Sequence, residues 1–153
     1  MTAIKTAGFD PMAQAFAAAR EALARGEVPV GAVLVRNGKV LAAAGNLTRA
    51  APDPTGHAEM RAIRAAAALL EAERLSDCDL YVTLEPCTMC AAAISFARIR
   101  RLYFGAFDLK GGAVESGVRF FGAPTCHHAP EVYGGIRESE AAAMLREFFA
   151  GKR

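Results

Sequence analysis

Four side chains in two short motifs could carry out metal-assisted chemistry: His57, Glu59, Cys87 and Cys90. One imidazole and two thiolates form a ligand set that suits zinc, whereas magnesium and calcium prefer oxygen ligands. Structural zinc takes four protein ligands, but catalytic zinc keeps three and leaves one position open to water. Because Glu59 is not needed as a ligand, the pattern predicts a catalytic zinc site with a free carboxylate beside it.

Hydrolytic deamination is the chemistry that this set favours. A zinc-bound water has its pKa lowered from about 15.7 towards roughly 7, which makes hydroxide available at neutral pH. Glu59 could take the proton from that water and pass it to a leaving nitrogen, the two-way duty of a general acid/base. Attack on an amidine-type carbon with loss of ammonia fits this equipment.

A structural zinc site is the alternative, with Cys78 or Cys126 as the fourth ligand. Such a site would suit an RNA-binding or assembly protein that holds zinc only for its fold, and it leaves Glu59 without a task. A second metal site in the segment 126–128, Cys-His-His, is disfavoured because adjacent residues seldom converge on one ion. We therefore favour loop packing or RNA contact for that segment.

Two helix starts must bring the ligands together. A proline-rich loop, residues 52–56, precedes the run 58–70, which is dense in strong helix formers, so a helix should begin beside His57. Pro86 favours a second helix start, and the two cysteine ligands, three residues apart, then share one face. Both helix N-termini carry partial positive charge, and we expect both to point at the metal.

The remaining pattern predicts an α/β domain with a mixed sheet, because strands alternate with helices after an initial hairpin. We see no linker long enough to separate domains, which predicts a single domain over residues 1–153. The other predicted elements are a helix from Asp10-Pro11 to a stop at Gly26, strands over 31–36 and 39–44 joined by Asn37-Gly38, a strand over 80–84, a helix over 89–98, strands over 101–107 and near 118–121, and a last helix over 137–149.

Bulk composition limits the class of protein. No apolar run approaches the roughly 20 residues that span a bilayer, and residues 1–10 lack the apolar segment of a secretion signal, so we expect a soluble cytoplasmic protein with no membrane partner. The net charge of +2 is too small to indicate a nucleic-acid binder by itself. Two local basic clusters could follow phosphates: Arg98, Arg100 and Arg101, and Arg146, Lys152 and Arg153.

The zinc motif carries a family resemblance. His57-Ala58-Glu59 with Pro86-Cys87 and Cys90 resembles the zinc-dependent cytidine/deoxycytidylate deaminase superfamily. Further segments carry a narrower likeness, namely Glu27-Val28-Pro29-Val30-Gly31-Ala32-Val33, Asn46, Asp53-Pro54-Thr55, Tyr81-Val82-Thr83-Leu84-Glu85-Pro86-Cys87, Arg98-Ile99 and Phe104-Gly105-Ala106. With them, nearly the whole chain is similar to the bacterial tRNA-specific adenosine deaminases, which convert the wobble adenosine (position 34) of an arginine tRNA to inosine.

The resemblance implies a three-layer α/β/α cytidine deaminase-like fold with a five-stranded mixed sheet. It implies one zinc per subunit, a homodimer, and a tRNA anticodon loop as partner, with attack at C6 of a flipped-out adenine. The roles that it implies are zinc ligation by His57, Cys87 and Cys90, proton transfer by Glu59, a nucleoside contact by Asn46, a base pocket lined by Val30, backbone near Pro86 at the reacting face, and RNA contacts by Asp108 and Lys110.

The segment after Lys110 departs from the family's usual pattern. Typical members continue with Thr-Gly-Ala, whereas this chain continues with Gly111-Gly112-Ala113. Relatives that act on free guanine or cytosine share the same zinc centre. A deaminase of a free base or nucleoside is therefore the alternative function.

Overall fold

The computed structural model describes residues 8–151. It consists of a five-stranded sheet flanked by helices. The residues used to exclude a secretion signal lie mostly before this range, and Lys152 and Arg153 of the second basic cluster lie after it. In chain order the elements are α1 (Pro11–Ala24), β1 (Gly31–Arg36), β2 (Lys39–Gly45), α2 (Ala58–Leu70), β3 (Asp79–Leu84), α3 (Thr88–Phe96), β4 (Arg101–Ala106), a 3-10 helix (Phe120–Gly122), β5 (Glu131–Tyr133) and α4 (Glu138–Ala150).

Local signals in the sequence explain the first elements. The carboxylate of Asp10 accepts a hydrogen bond from the backbone N–H of Ala13 at 3.1 Å, and Pro11 occupies the first turn of α1. Asn37 and Gly38 both adopt positive φ, 52° and 74°, as the two-residue turn between β1 and β2 requires. The predicted helix start and hairpin are confirmed.

The sheet is mixed and its strand order is β2-β1-β3-β4-β5. β1 pairs antiparallel with β2 and β3, whereas β3, β4 and β5 run parallel to one another. The carboxyl ends of β3 and β4 therefore meet at one edge of the sheet, where Leu84 pairs with Ala106. Ligand sites of α/β sheets commonly form at this edge.

Two apolar clusters cover the two faces of the sheet. The first joins α2 and α3 to the strands, and the second joins α1 and α4 to the opposite face. Along β1, Leu34 belongs to the first cluster and Val35 to the second, because successive strand residues point to opposite faces. The predicted three-layer α/β/α arrangement with five strands is confirmed.

The strand predicted near residues 118–121 is wrong. Val118 is exposed, and Phe120–Gly122 form a 3-10 helix instead. Positive φ values at Gly117 and Arg119, 57° and 46°, interrupt the extended backbone that a strand needs. The fifth strand is the three-residue β5, which pairs with β4 from Arg101 to Tyr103.

Helix boundaries shift slightly from the predicted ones. α3 ends at Phe96 rather than at residue 98, because Arg98 adopts a left-handed φ of 62°. α4 begins at Glu138 after Arg137, which has a φ of 55°. Among residues 8–151, none of the helices has the length and apolar character needed to cross a membrane.

Candidate metal centre and its pocket

Three side chains from two helix starts converge at the carboxyl edge of the sheet. His57 caps the N-terminus of α2, Cys87 caps that of α3, and Cys90 lies in the first turn of α3. The Nδ1 atom of His57 lies 3.6 Å from Sγ of Cys87 and 3.5 Å from Sγ of Cys90. The structure thus brings the three predicted ligands together, with both helix N-termini directed as the sequence predicts.

The donor set and its spacing fit zinc. Nitrogen and sulfur atoms bound to a single zinc at about 2.0 and 2.3 Å would lie roughly 3.5 Å apart at a tetrahedral angle. The two nitrogen–sulfur separations agree with that value. One imidazole with two thiolates would not suit an ion that prefers oxygen.

The ligand side chains are coupled through hydrogen bonds. The bond from the Cys90 thiol, followed by that from His57, lowers the pKa of Cys87 to about 4. The same contact with Cys87, together with burial, raises the pKa of Cys90, and the bond to Cys87 raises that of His57. Cys87 is therefore the group that most readily supplies a thiolate.

Glu59 lies in the first turn of α2 and is only 4% exposed. Burial raises the pKa of its carboxyl group to about 7. A carboxyl group with a pKa near neutrality can both accept and release a proton at physiological pH. Its position beside the ligand cluster, rather than within it, suits that task.

Neither candidate for a fourth ligand joins the cluster. Cys78 is fully buried beside Asp77, and Sγ of Cys126 donates to the carbonyl oxygen of His128 at 3.1 Å. Within residues 8–151, the group of three or more potential ligands is His57 with Cys87 and Cys90. Among the described residues, the structural-zinc alternative therefore has no fourth protein ligand, and the segment 126–128 forms no second cluster.

A pocket of about 800 Å³ opens beside the cluster. Four of the predicted substrate residues line it, namely Val30, Asn46, Asp108 and Lys110. Pro86 does not line it, because this residue is buried and its carbonyl oxygen accepts from Ala113 N–H. Its neighbours Glu85 and Cys87 do face the pocket.

Asn46 and Asp108 are also held by backbone contacts. The Oδ1 atom of Asn46 accepts from the N–H of Ala58 at 3.0 Å, which ties β2 to the start of α2. The Oδ1 atom of Asp108 accepts from the N–H groups of Lys110 and Gly111, as a turn-forming aspartate does. Each side chain therefore shapes the wall of the pocket on which it lies.

Sequence reasoning missed several residues around the pocket. Leu145 and Phe149 of α4 form part of its wall, together with Arg146 of the predicted basic cluster. Two buried carboxylates, Glu27 and Glu85, hold the flanking loops through bonds to residues 21–31 positions away. A glutamate directly after an apolar strand, as at position 85, was the sequence signal for this role, because a charge at a buried position requires partners.

The fold and the site define a class: a zinc-dependent deaminase in which a buried glutamate accompanies a His-Cys-Cys ligand set. Residues 9–106 match the family described as the cytidine and deoxycytidylate deaminase zinc-binding region, and the chain belongs to this family. The zinc-binding region and the donor set together identify the cofactor as zinc.

Individual relatives and solved structures are similar to this chain over most of its length. The chain is 66% identical over 142 residues to a tRNA-specific adenosine deaminase of Agrobacterium fabrum, covering 93% of each protein. A solved structure from studies of A-to-I editing by tRNA:A34 deaminases is 65% identical, with a TM-score of 0.87, and covers 88% of this chain and 98% of that one. A guanine deaminase from Nitrosomonas europaea is 24% identical with a TM-score of 0.80, covering 92% and 83%, and shares the fold.

Proposed function

We propose that this chain deaminates adenosine to inosine at wobble position 34 of an arginine tRNA. The observation that carries the proposal is the buried Glu59 beside the three-ligand cluster at a pocket of about 800 Å³. That volume lies within the range of about 300–1,000 Å³ typical of ligand pockets. The adenosine and tRNA assignments are supported by the relative that is 66% identical over nearly the whole chain.

His57, Cys87 and Cys90 would hold the zinc. When bound, zinc lowers the pKa of water to about 7 and so supplies a nucleophile at neutral pH. The carboxylate of Glu59 accepts a proton in its ionised form and returns it to the leaving amine nitrogen, and a pKa of about 7 permits both directions. Burial of Glu59 keeps bulk water from competing for that proton.

The adenine must leave the base stack to reach Glu59. Val30 supplies an apolar wall for the base, and the side-chain amide of Asn46 is fixed by its bond to Ala58 so that it can orient the nucleoside. Bases of an anticodon loop are unpaired, so turning one outward costs less than in a duplex. At the rim, the exposed Lys110 supplies positive charge for the RNA backbone, and Asp108 holds the turn that presents it.

Incubation of the purified protein with an arginine tRNA carrying A34 tests the substrate. Inosine should appear at position 34, read by sequencing, and the matched tRNA carrying G34 should remain unchanged. Parallel reactions with free guanine, cytosine and cytidine should release no ammonia. Ammonia from a free base, without inosine in the tRNA, would instead establish the alternative substrate class.

We also propose that the protein is a single cytoplasmic domain that acts as a homodimer. Leu69 and Phe96, at the C-terminal ends of the neighbouring helices α2 and α3, are 61% and 76% exposed and offer apolar surface for a second copy. Sedimentation equilibrium should give twice the chain mass of 16.1 kDa. A monomer at micromolar concentration would contradict the dimer.

A further inference from the structure

The carboxylate of Glu85 accepts several hydrogen bonds from the loop that follows β4. Glu85 is 2% exposed and stands between the end of β3 and the ligand Cys87. Its five hydrogen bonds all come from the segment 108–116: to Oε1 from Asp108 N at 2.9 Å and Ser116 Oγ at 2.9 Å, and to Oε2 from Val114 N at 3.1 Å, Glu115 N at 2.7 Å and Ser116 N at 2.9 Å.

The loop is wrapped closely around this carboxylate. A Cβ atom at Gly112 would lie 2.5 Å from the carboxyl carbon of Glu85 and 2.5 Å from the carbonyl oxygen of Asp108, closer than such atoms can approach. The N–H of Ala113 adds a bond to the carbonyl oxygen of Pro86. Only glycine at position 112 therefore allows the segment to close over Glu85.

The segment has little regular structure of its own. Residues 108–116 contain neither helix nor strand, so no ladder of backbone bonds fixes their shape. A carboxylate that accepts four backbone N–H groups takes the place of such a ladder. The first part of the same segment, residues 108–111, lines the pocket beside the metal ligands.

We propose that Glu85 is a positioning residue that shapes the segment 108–116 so that Asp108 and Lys110 meet the polynucleotide substrate. The inference rests on the proposed function and assigns control of RNA affinity to a carboxylate whose hydrogen bonds are all made with the loop. Its effect is on substrate binding, because the zinc ligands and Glu59 lie on other elements.

Two variants disturb this contact in different ways. Glu85→Gln places an amide NH₂ group, a donor, among backbone donors, and Gly112→Ala introduces a methyl group where Glu85 lies. Gly122→Ala is the matched control, because a Cβ there meets nothing within 4 Å. Should Glu85→Gln fail to fold, Gly112→Ala carries the test.

Steady-state kinetics with an A34 anticodon stem-loop separates positioning from chemistry. Both variants should bind a full complement of zinc and raise KM by about tenfold or more, with kcat changed by less than about threefold. Gly122→Ala should match the wild type. A loss confined to kcat, or a loss of zinc, would show that Glu85 supports the metal centre and would overturn the proposal.

A double-mutant cycle tests whether Glu85 acts on substrate binding through the loop that carries Lys110. If Glu85 acts through the loop, the KM effects of Glu85→Gln and Lys110→Ala should combine to less than their product, because the two changes remove one shared interaction. Multiplicative effects would mean that the two residues act independently, which contradicts the inference.

Hydrogen exchange tests the contact between Glu85 and the loop in the absence of substrate. In Glu85→Gln and Gly112→Ala, the amides of Val114, Glu115 and Ser116 should exchange faster than in the wild type and in Gly122→Ala. Unchanged exchange at these amides would overturn the contact between Glu85 and the loop. A wild-type protein that forms no inosine, but whose variants show the faster exchange, would instead place the failure in the proposed function.

Discussion

Glu59 and the three ligands have different surroundings, which assign metal binding to the ligands and proton transfer to Glu59. The ligand atoms of His57, Cys87 and Cys90 lie within 4.8 Å of one another. Glu59 shares the helix start of His57 without being a ligand, and burial raises the pKa of its carboxyl group to about 7. The same helix end can therefore hold a metal ligand and, two residues later, a proton carrier.

Replacement of Glu59 by alanine should separate metal binding from catalysis. We expect Glu59→Ala to keep one zinc per chain and to form inosine about 10²–10⁴ times more slowly, the usual contribution of a general acid/base. Metal analysis and single-turnover rates check the two parts. A variant that turned over normally would remove Glu59 from the mechanism.

Replacement of cysteines should distinguish ligands from the other thiols. Cys87→Ala or Cys90→Ala should lose zinc and activity, because each removes one of three ligands. Cys126→Ser is the matched control and should keep both, since its sulfur bonds to Ser95 and His128. Zinc retained in full by Cys90→Ala would contradict the ligand assignment.

At the scale of elements, two helix starts and two loops form the site, and the sequence predicts them unequally. The starts of α2 and α3 are local events, set by a proline-rich loop and by Pro86, and could be predicted. β5 has three residues and exists through its pairing with β4, so no local pattern indicated it. The bonds of Glu85 to its loop span 23–31 residues and were equally invisible.

Glu27 gives the loop after β2 a pH-dependent anchor. Its buried carboxylate accepts from the N–H groups of Ala50, Thr48 and Arg49. The bond from Ala50, then those from Thr48 and Arg49, hold the pKa of Glu27 below its ordinary value against the opposing effect of burial. Such a group stabilises the fold above its unfolded pKa of about 4.3 and loses this effect as pH falls through the lower folded pKa.

Glu27→Gln should therefore reduce stability at pH 7 and make stability depend less steeply on pH in the acid range. We expect a loss of about 1–3 kcal/mol at pH 7, because buried N–H donors lose their charged acceptor. Below the folded pKa the wild type loses the same charge, so the two proteins should converge there. Urea unfolding at pH 7 and at successively lower pH measures the difference, and a gap that stays constant until the wild type unfolds in acid would contradict the assignment.

The whole molecule places its site at one edge of the sheet and carries little net charge. The formal charge is +2, so long-range attraction to RNA is weak and binding depends on cations near the pocket. Arg146 of α4 and Lys110 of the loop after β4 both line the pocket, and both side chains are exposed.

The salt dependence of tRNA binding should report these contacts. For single-stranded RNA, each phosphate contact contributes about 0.7 to the slope of log K against log salt. Arg146→Ala and Lys110→Ala should each reduce the slope by roughly that amount, because each removes one cation from the pocket rim. Arg20→Ala, on the exposed face of α1 and away from the pocket, is the control and should leave the slope unchanged. Equal slopes for Arg146→Ala and Arg20→Ala, measured by filter binding between 50 and 200 mM salt, would show that α4 lies outside the RNA path.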